Sequence, residues 1–310
     1  MASRLILMPL PKVLLDCDPG HDDAFAIMLA ARTTDLVGIT TVSGNAPLAQ
    51  VTRNALSLTE LLGIQVPVCA GASGPLSAES LHAPEVHGDS GIGAVSLPAP
   101  RRALTSDDAV AFLIEQSSAY RDLWLVAVGP LTNVALAVQR DKGFAGRLAG
   151  ISIMGGSTAG GNRTAAAEFN ILADPEAADV VFASGANIRM CGLNLTHQVR
   201  SDQRWIDVLS AADTPLGTLS AALLSDVHVR LKALTGTDGA AMHDPCAVLA
   251  VTQPEWFDFV PRDVRVELHG RWTRGMTVVD ERPGQRRTNV GVAYGVDARR
   301  AAASILQHAV

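Results

Sequence analysis

The sequence predicts an α/β fold: a doubly wound, mostly parallel sheet flanked by helices, built as a single domain. Three observations carry that expectation. Apolar runs of strand length alternate with helical patterns through most of the 310 residues. The runs are continuously apolar, the pattern of strands covered on both faces. Right-handed crossovers through helices then place such strands side by side and parallel.

Taken in order, Val13–Cys17 reads as the first buried strand, followed by a helix over Asp22–Ala31. Leu36–Val42 is a β-branched strand and Leu48–Leu62 an amphipathic helix. Val66–Cys69, Leu123–Val128, Gly150–Met154 and Ile188–Cys191 supply further strands, with helices near 106–119, 131–139 and 175–184. Three stretches break the rhythm. Residues 71–102 are rich in Gly, Ser, His and Pro, 155–168 in Gly and Ala, and 195–242 reads as helices leading to His243. Long connections at strand ends are where such sheets bind ligands. No repeat or linker divides the chain, so one domain is expected over 1–310. Residues 1–11 form a short leader whose apolar run is broken by Pro9 and Pro11, unlike a signal peptide.

With 48% hydrophobic and 18% charged residues, the chain can bury a sizeable core. A net charge of −6 and scattered arginine pairs (101–102, 286–287, 299–300) argue against nucleic acid or an anionic membrane as partner. No apolar run reaches the roughly 18 residues a membrane span needs. Cys17, Cys69, Cys191 and Cys246 form no CxxC pair, which points to a reducing, cytoplasmic setting.

The most informative segment is KVLLDCDPGHDD, residues 12–23. Asp16, Asp18, Asp22 and Asp23 crowd the end of a strand and the first turn of the next helix, with Pro19-Gly20 turning between them. In an extended strand Asp16 and Asp18 share a face and Cys17 points away. Helix capping accounts for one or two of these carboxylates and leaves Asp18 unexplained. Crowded anions call for a cation, and oxygen-only ligands favour Ca²⁺ or Mg²⁺. DCDPG also fits the DxD nucleophile strand of haloacid dehalogenase-like phosphatases. That reading needs a later lysine and a further acidic pair, and Lys12, Lys142 and Lys232 stand in no such context.

DCDPGHDD resembles the DxDPGxDD signature of the inosine–uridine preferring nucleoside hydrolases. ITTVSGN (39–45), VGPLTN (128–133), MGG (154–156), GNRTAAAEFNILADPEAA (161–178) and HDPCAV (243–248) follow in that family's order, so the likeness spans about residues 12 to 280. It implies calcium-dependent hydrolysis of the N-glycosidic bond of ribonucleosides, purine and pyrimidine alike. It places Ca²⁺ on Asp18, Asp23, the main-chain carbonyl of Val128 and Asp244. Asp22, Asn45 and Asn170 would bind the 2′- and 3′-hydroxyls, Asn162 and Glu168 the 5′-hydroxyl, and Met154 would pack near the sugar. Asp18 would be the base and His243 the leaving-group acid, a role suited to a near-neutral pKa. His87, in a glycine-rich loop expected to be mobile, would sit near the base as part of a lid. The implied partner is a small-molecule nucleoside, and the implied assembly a homodimer or homotetramer.

The residues alone leave blander readings open. Asp244-Pro245 is a helix start, Asn45 a turn residue, Met154 a core residue, and Glu168 with Asn170 one face of an extended stretch. His21, His82 and His228 receive no role. The family's tyrosines upstream of HDP are missing, since Tyr120 and Tyr294 lie elsewhere and 225–242 offers His228 and Arg230 instead. Trp124, Trp205, Trp256 and Trp272 fall at none of the pocket positions. A non-catalytic nucleoside- or ribose-binding protein on the same fold is the alternative, and retention of both Asp18 and His243 speaks against it.

Overall fold

The computed structural model describes residues 9–284 and 287–310. Most of the expected leader, and Arg286 of one arginine pair, therefore lie outside the described residues. The chain begins β1 (Lys12–Cys17), α1 (His21–Thr33), β2 (Asp35–Thr41), α2 (Leu48–Leu61), β3 (Val68–Ala70). A long connection carrying the single turn α3 (Pro84–His87) leads to α4 (Ala109–Ala119), β4 (Trp124–Ala127), α5 (Thr132–Arg140), α6 (Phe144–Arg147) and β5 (Gly150–Met154). Next come α7 (Phe169–Ala173), α8 (Pro175–Phe182), β6 (Ile188–Cys191), α9 (Leu193–Thr196) and β7 (Arg200–Ser201). α10 (Gln203–Ala211), the long α11 (Pro215–Thr235), β8 (Ala240–Ala241) and α12 (His243–Thr252) follow. The chain ends with β9 (Phe257–Val266), β10 (Thr277–Asp280), β11 (Val290–Val296) and α13 (Ala298–Gln307).

Nine strands form one sheet in the order β10-β9-β11-β6-β5-β4-β1-β2-β3. Every pairing from β3 to β11 is parallel, as the apolar runs predict, while β9 pairs antiparallel with both β10 and β11. The chain winds outward from β1 in one direction through β2 and β3, then returns to β4 on its other side. The gap between the C-terminal ends of β1 and β4 is therefore the topological switch point, where open α/β sheets bind ligands.

β1 shows how the sequence fills both faces. Val13, Leu15 and Cys17 join the core under α1 and α12, while Leu14 joins the core under α4, α5 and α8. Asp16, two residues on from Leu14, points to that second face. Between β1 and the later elements, α12 is buried from Cys246 to Val251 because the run CAVLAV is apolar all round, and it packs against α1. α8 and α11 each start with a capping side chain and a first-turn proline: Asp174 accepts from the Ala177 amide and Thr214 from that of Gly217. Gly236, at φ +73°, ends α11 in the left-handed region.

The structure departs from the sequence expectation in two places. Residues 195–242 are not helical throughout, because β7 and β8 pair antiparallel with Arg200 opposite Ala241 and Ser201 opposite Ala240. The antiparallel strands β9 and β10 at the sheet's edge were not foreseen. No helix among the described residues is long and apolar enough to cross a membrane.

Candidate active site

A cavity of about 660 Å³ opens at the switch point. β1 delivers Asp18 one residue past its end, and the following turn starts α1 with Asp22 and Asp23. Gly20 makes that turn tight: a Cβ there would stand 2.6 Å from His87 Nδ1. The Asp23 carboxylate folds back over the turn and accepts from the main-chain amides of Asp18 (3.1 Å) and Gly20 (2.8 Å). α12 brings Asp244 to the same place from the far end of the chain. Oxygens of Asp22, Asp23 and Asp244 lie within 4.8 Å of one another.

Asp18 is fully buried beside this trio, between the two glycines Gly44 and Gly129, which follow β2 and β4. Its Oδ2 accepts from the Asn45 amide at 2.7 Å, and its Oδ1 has no hydrogen-bond partner among the described residues. Burial raises the pKa of Asp18 well above the carboxylate range, and Asp23 beside it adds to the effect. Burial likewise raises Asp22, takes Asp23 to about 7 and lifts Asp244 well above its ordinary value, with neighbouring carboxylates contributing to Asp23 and Asp244. A floor of four carboxylates that resist ionisation is an arrangement that a hard divalent cation stabilises.

Asp16 does not join this floor. Its Oδ1 accepts from Thr40 Oγ1 (2.5 Å) and Asn133 Nδ2 (2.8 Å), and its main-chain carbonyl accepts from the Val128 amide (2.8 Å). It couples β1, β2 and α5 below the site. The Val128 carbonyl, expected from resemblance to face a metal, accepts from Asn170 Nδ2 at 2.9 Å. The same Asn170 amide reaches the Met154 carbonyl at 3.1 Å. Asn45, which alone reads as a turn residue, donates through Nδ2 to the Asp18 carbonyl and to Asp23 Oδ2, each at 3.1 Å.

The opposite wall carries Glu168 and Asn162. Glu168 caps α7, accepting from the amides of Asn170 (2.9 Å) and Ile171 (3.2 Å), and it also accepts from Gly156 (2.9 Å). Burial outweighs these three donors and takes its pKa to about 7. Asn162 Oδ1 accepts from the Phe169 amide at 2.9 Å. Met154, Asn162, Glu168 and Asn170 all line the cavity with Asp22, Asn45 and Val128.

Two histidines hang over the remaining side. His243 opens α12, and its Nδ1 lies 2.7 Å from Thr196 Oγ1. Burial, with His197 and Arg200 nearby, lowers its pKa to about 3, away from the near-neutral value expected of a leaving-group acid. It is therefore neutral at physiological pH and offers a hydrogen bond, not a positive charge. His87 Nδ1 lies 3.1 Å from His21 Nδ1, and His21 Nε2 lies 3.0 Å from Asp226 Oδ2. Burial lowers both pKa values to about 4.

Sequence reasoning missed His21, Thr196, His197, Arg200 and Asp226, all of which line or brace the cavity. His21 alone had a local signal, lying inside DPGHDD. The loop expected to be mobile is tied down: Asn54 donates to the Ser90 carbonyl (2.8 Å) and Ala94 to Asp226 Oδ1 (3.1 Å). Arg230 is spent on Asp226 (2.6 Å), and His228 on Ser201 (2.9 Å). Among the described residues no tyrosine or tryptophan lines the cavity, whose apolar lining includes Phe25, Phe169, Leu224, Val227, Leu231 and Leu234.

Comparison with known proteins agrees with the geometry. The family model for the inosine–uridine preferring nucleoside hydrolases matches residues 13–303. The pyrimidine-specific ribonucleoside hydrolase RihA of Shewanella baltica is 40% identical over 293 residues, covering 92% of each chain. Its namesake from Salmonella paratyphi A is 42% identical over 282 residues, covering 88% of this chain and 89% of the other. Among solved structures, a plant nucleoside hydrolase superposes with a TM-score of 0.91 at 33% identity, covering 97% and 99% of the two chains. The purine-preferring ribonucleoside hydrolase of Gardnerella vaginalis also reaches 0.91 at 33% identity, covering 96% and 97%. The phosphatase reading of DCDPG falls away, and the chain belongs to the inosine–uridine preferring nucleoside hydrolase family, as an enzyme that hydrolyses ribonucleosides.

Proposed function

We propose that the hydrolysis depends on Ca²⁺ and favours pyrimidine ribonucleosides. The observation that carries the metal is the carboxylate floor, an all-oxygen donor set with a buried Asp18 oxygen that has no partner of its own among the described residues. Asp18, Asp23, Asp244 and the Val128 carbonyl would hold the ion. When bound, it would neutralise the floor and polarise the hydroxyls and water that lie against it.

In this reading the remaining work belongs to side chains. Asp18, ionised where a bound cation would neutralise the floor and given a high proton affinity by its burial, would take the proton of the attacking water. Asp22, Asn45 and Asn170 orient the 2′- and 3′-hydroxyls, while Asn162 and Glu168 reach the 5′-hydroxyl and Met154 packs under the ring. Positive charge builds on the ribosyl carbon as the base departs, and carboxylates held beside the sugar would stabilise it. His243, as a neutral imidazole, donates its ring N–H to an acceptor on the departing base, and His87 faces the same space.

The sequence expectation admits purines and pyrimidines alike. Two observations favour a narrower range: relatives at 40% and 42% identity are named pyrimidine-specific, and among the described residues neither tyrosine nor tryptophan lines the cavity. A purine, with its larger π face, loses most where neither tyrosine nor tryptophan is offered for stacking. Ribose release from uridine, cytidine, inosine, adenosine and 2′-deoxyuridine, with and without EDTA, tests both parts. Uridine and cytidine should exceed inosine by about tenfold or more, deoxyuridine should lag, and Ca²⁺ should restore activity lost to EDTA. Equal rates on inosine would remove the base preference; full activity after exhaustive chelation would remove the metal. Assembly as a homodimer or homotetramer belongs to the same proposal and is read by light scattering on the eluting peak.

A further inference from the structure

We infer that Thr196 is a positioning residue that locks His243 in the tautomer with its proton on Nε2, so that the base meets a fixed N–H donor. The inference rests on the reading of His243 as the group that faces the departing base. Thr196 ends α9 and is fully buried. Its hydroxyl has one proton to give and lies 2.7 Å from His243 Nδ1, across 47 residues of chain. If Nδ1 carried the ring proton and donated to Oγ1, the hydroxyl proton would need a second acceptor. Among the described residues Oγ1 has no other hydrogen-bond partner. Donation from Thr196 to Nδ1 satisfies both atoms at once, and a buried hydroxyl left without an acceptor is costly. The ring proton of a neutral His243 then resides on Nε2.

The surrounding backbone is built to hold this distance. The Thr196 amide donates to the Gly192 carbonyl (3.0 Å) and its own carbonyl accepts from Val199 (3.1 Å). Val199 in turn accepts from the Met242 amide at 2.9 Å, one residue before His243. The β7–β8 pairing continues the seam, with Arg200 opposite Ala241. The two-residue strands thus fasten the segment after Thr196 to the segment before His243. His197 braces the imidazole from a third side, edge-on with ring centroids 5.6 Å apart.

The test pairs Thr196→Val, which keeps the shape and removes the hydroxyl, with Thr196→Ser, which keeps the hydroxyl. Each is assayed on uridine and on p-nitrophenyl β-D-ribofuranoside, whose leaving group departs without a proton. Thr196→Val should lower kcat on uridine by about 10- to 100-fold, leave KM nearly unchanged, and leave the p-nitrophenyl substrate within about twofold. Thr196→Ser should restore uridine turnover. Equal losses on both substrates, or no loss on either, would overturn the inference. Nitrogen-15 spectra of histidine-labelled wild-type enzyme read the tautomer directly and do not depend on any variant folding; a proton on Nδ1 of His243 would overturn it as well. His243→Ala run alongside separates the two levels: if it spares the uridine to p-nitrophenyl ratio, the donor role of His243 fails, and with it the catalytic consequence assigned to Thr196.

Discussion

Glu168 receives three main-chain amides, yet its burial keeps the carboxyl protonated to about pH 7 against an ordinary 4.5. The folded state therefore holds its proton more tightly than the unfolded chain does. The stability this contributes is complete below about pH 4.5 and is lost as pH rises through about 7. Measured against Glu168→Gln by chemical denaturation, wild type should gain about 3 kcal/mol in relative stability between pH 8 and pH 4. A difference that stays flat with pH would show that Glu168 titrates normally. Gly44 makes a second residue-scale case. A Cβ there would overlap the Asp18 carboxylate, so Gly44→Ala should lower kcat/KM by about 100-fold, the scale of an ångström's misplacement at a reacting centre. A near wild-type rate would mean that Asp18 can move without consequence. Asp18, Asp22 and Asp23 were legible in the sequence because eight residues hold them all. His21 and Thr196 were not, because their partners His87, Asp226 and His243 lie 66, 205 and 47 residues away.

Between single side chains and the whole sheet, the elements the sequence concealed are those with no period to display. β7 and β8 have two residues each, too few to alternate. β9 carries Pro261 and charged residues and is only partly buried, so FDFVPRDVRV shows neither an apolar run nor a clean alternation. Its partner β10 nevertheless reaches the site. Thr277 Oγ1 accepts from the Ser157 amide (2.8 Å) and donates to the Ser157 carbonyl (2.6 Å), fixing the turn after Met154 and the glycines. Thr277→Val should cost about 2 kcal/mol for two lost buried hydrogen bonds and raise KM through the loosened wall. Unchanged denaturation and KM would detach β10 from the site. The loop over the cavity behaves as an element too. Asp226 gathers His21, Arg230 and the Ala94 amide, so Asp226→Asn should release the loop and speed amide exchange around residues 85–95.

At the scale of the molecule, the parallel core was legible because Val13–Leu15, Leu125–Ala127 and their kin are apolar on both faces, which only a doubly covered sheet explains. Strand order was not, since no local pattern says that β11 inserts beside β6 while β9 turns back against it. That order places the switch point between β1 and β4, and the closely packed pair α1 and α12 converges there from opposite ends of the chain. An ion gripped by Asp18, Asp23 and Asp244 would bind the folded state alone. Ca²⁺ at a hundred times its dissociation constant should therefore add about 2.7 kcal/mol to stability, visible as a melting transition several degrees above that in EDTA. Coincident melts would argue against the ion.

The meeting of α1 with α12 also has a temporal side. A chain leaving the ribosome presents DCDPGHDD early, and its matching HDP only after most of the sheet has been made. Until then the acidic turn has only its own amides and Asn45 for partners, and any half of the protein lacks a complete cage. Ion uptake would thus report that the two distant segments have found each other, and it should follow synthesis of residue 244 and not precede it.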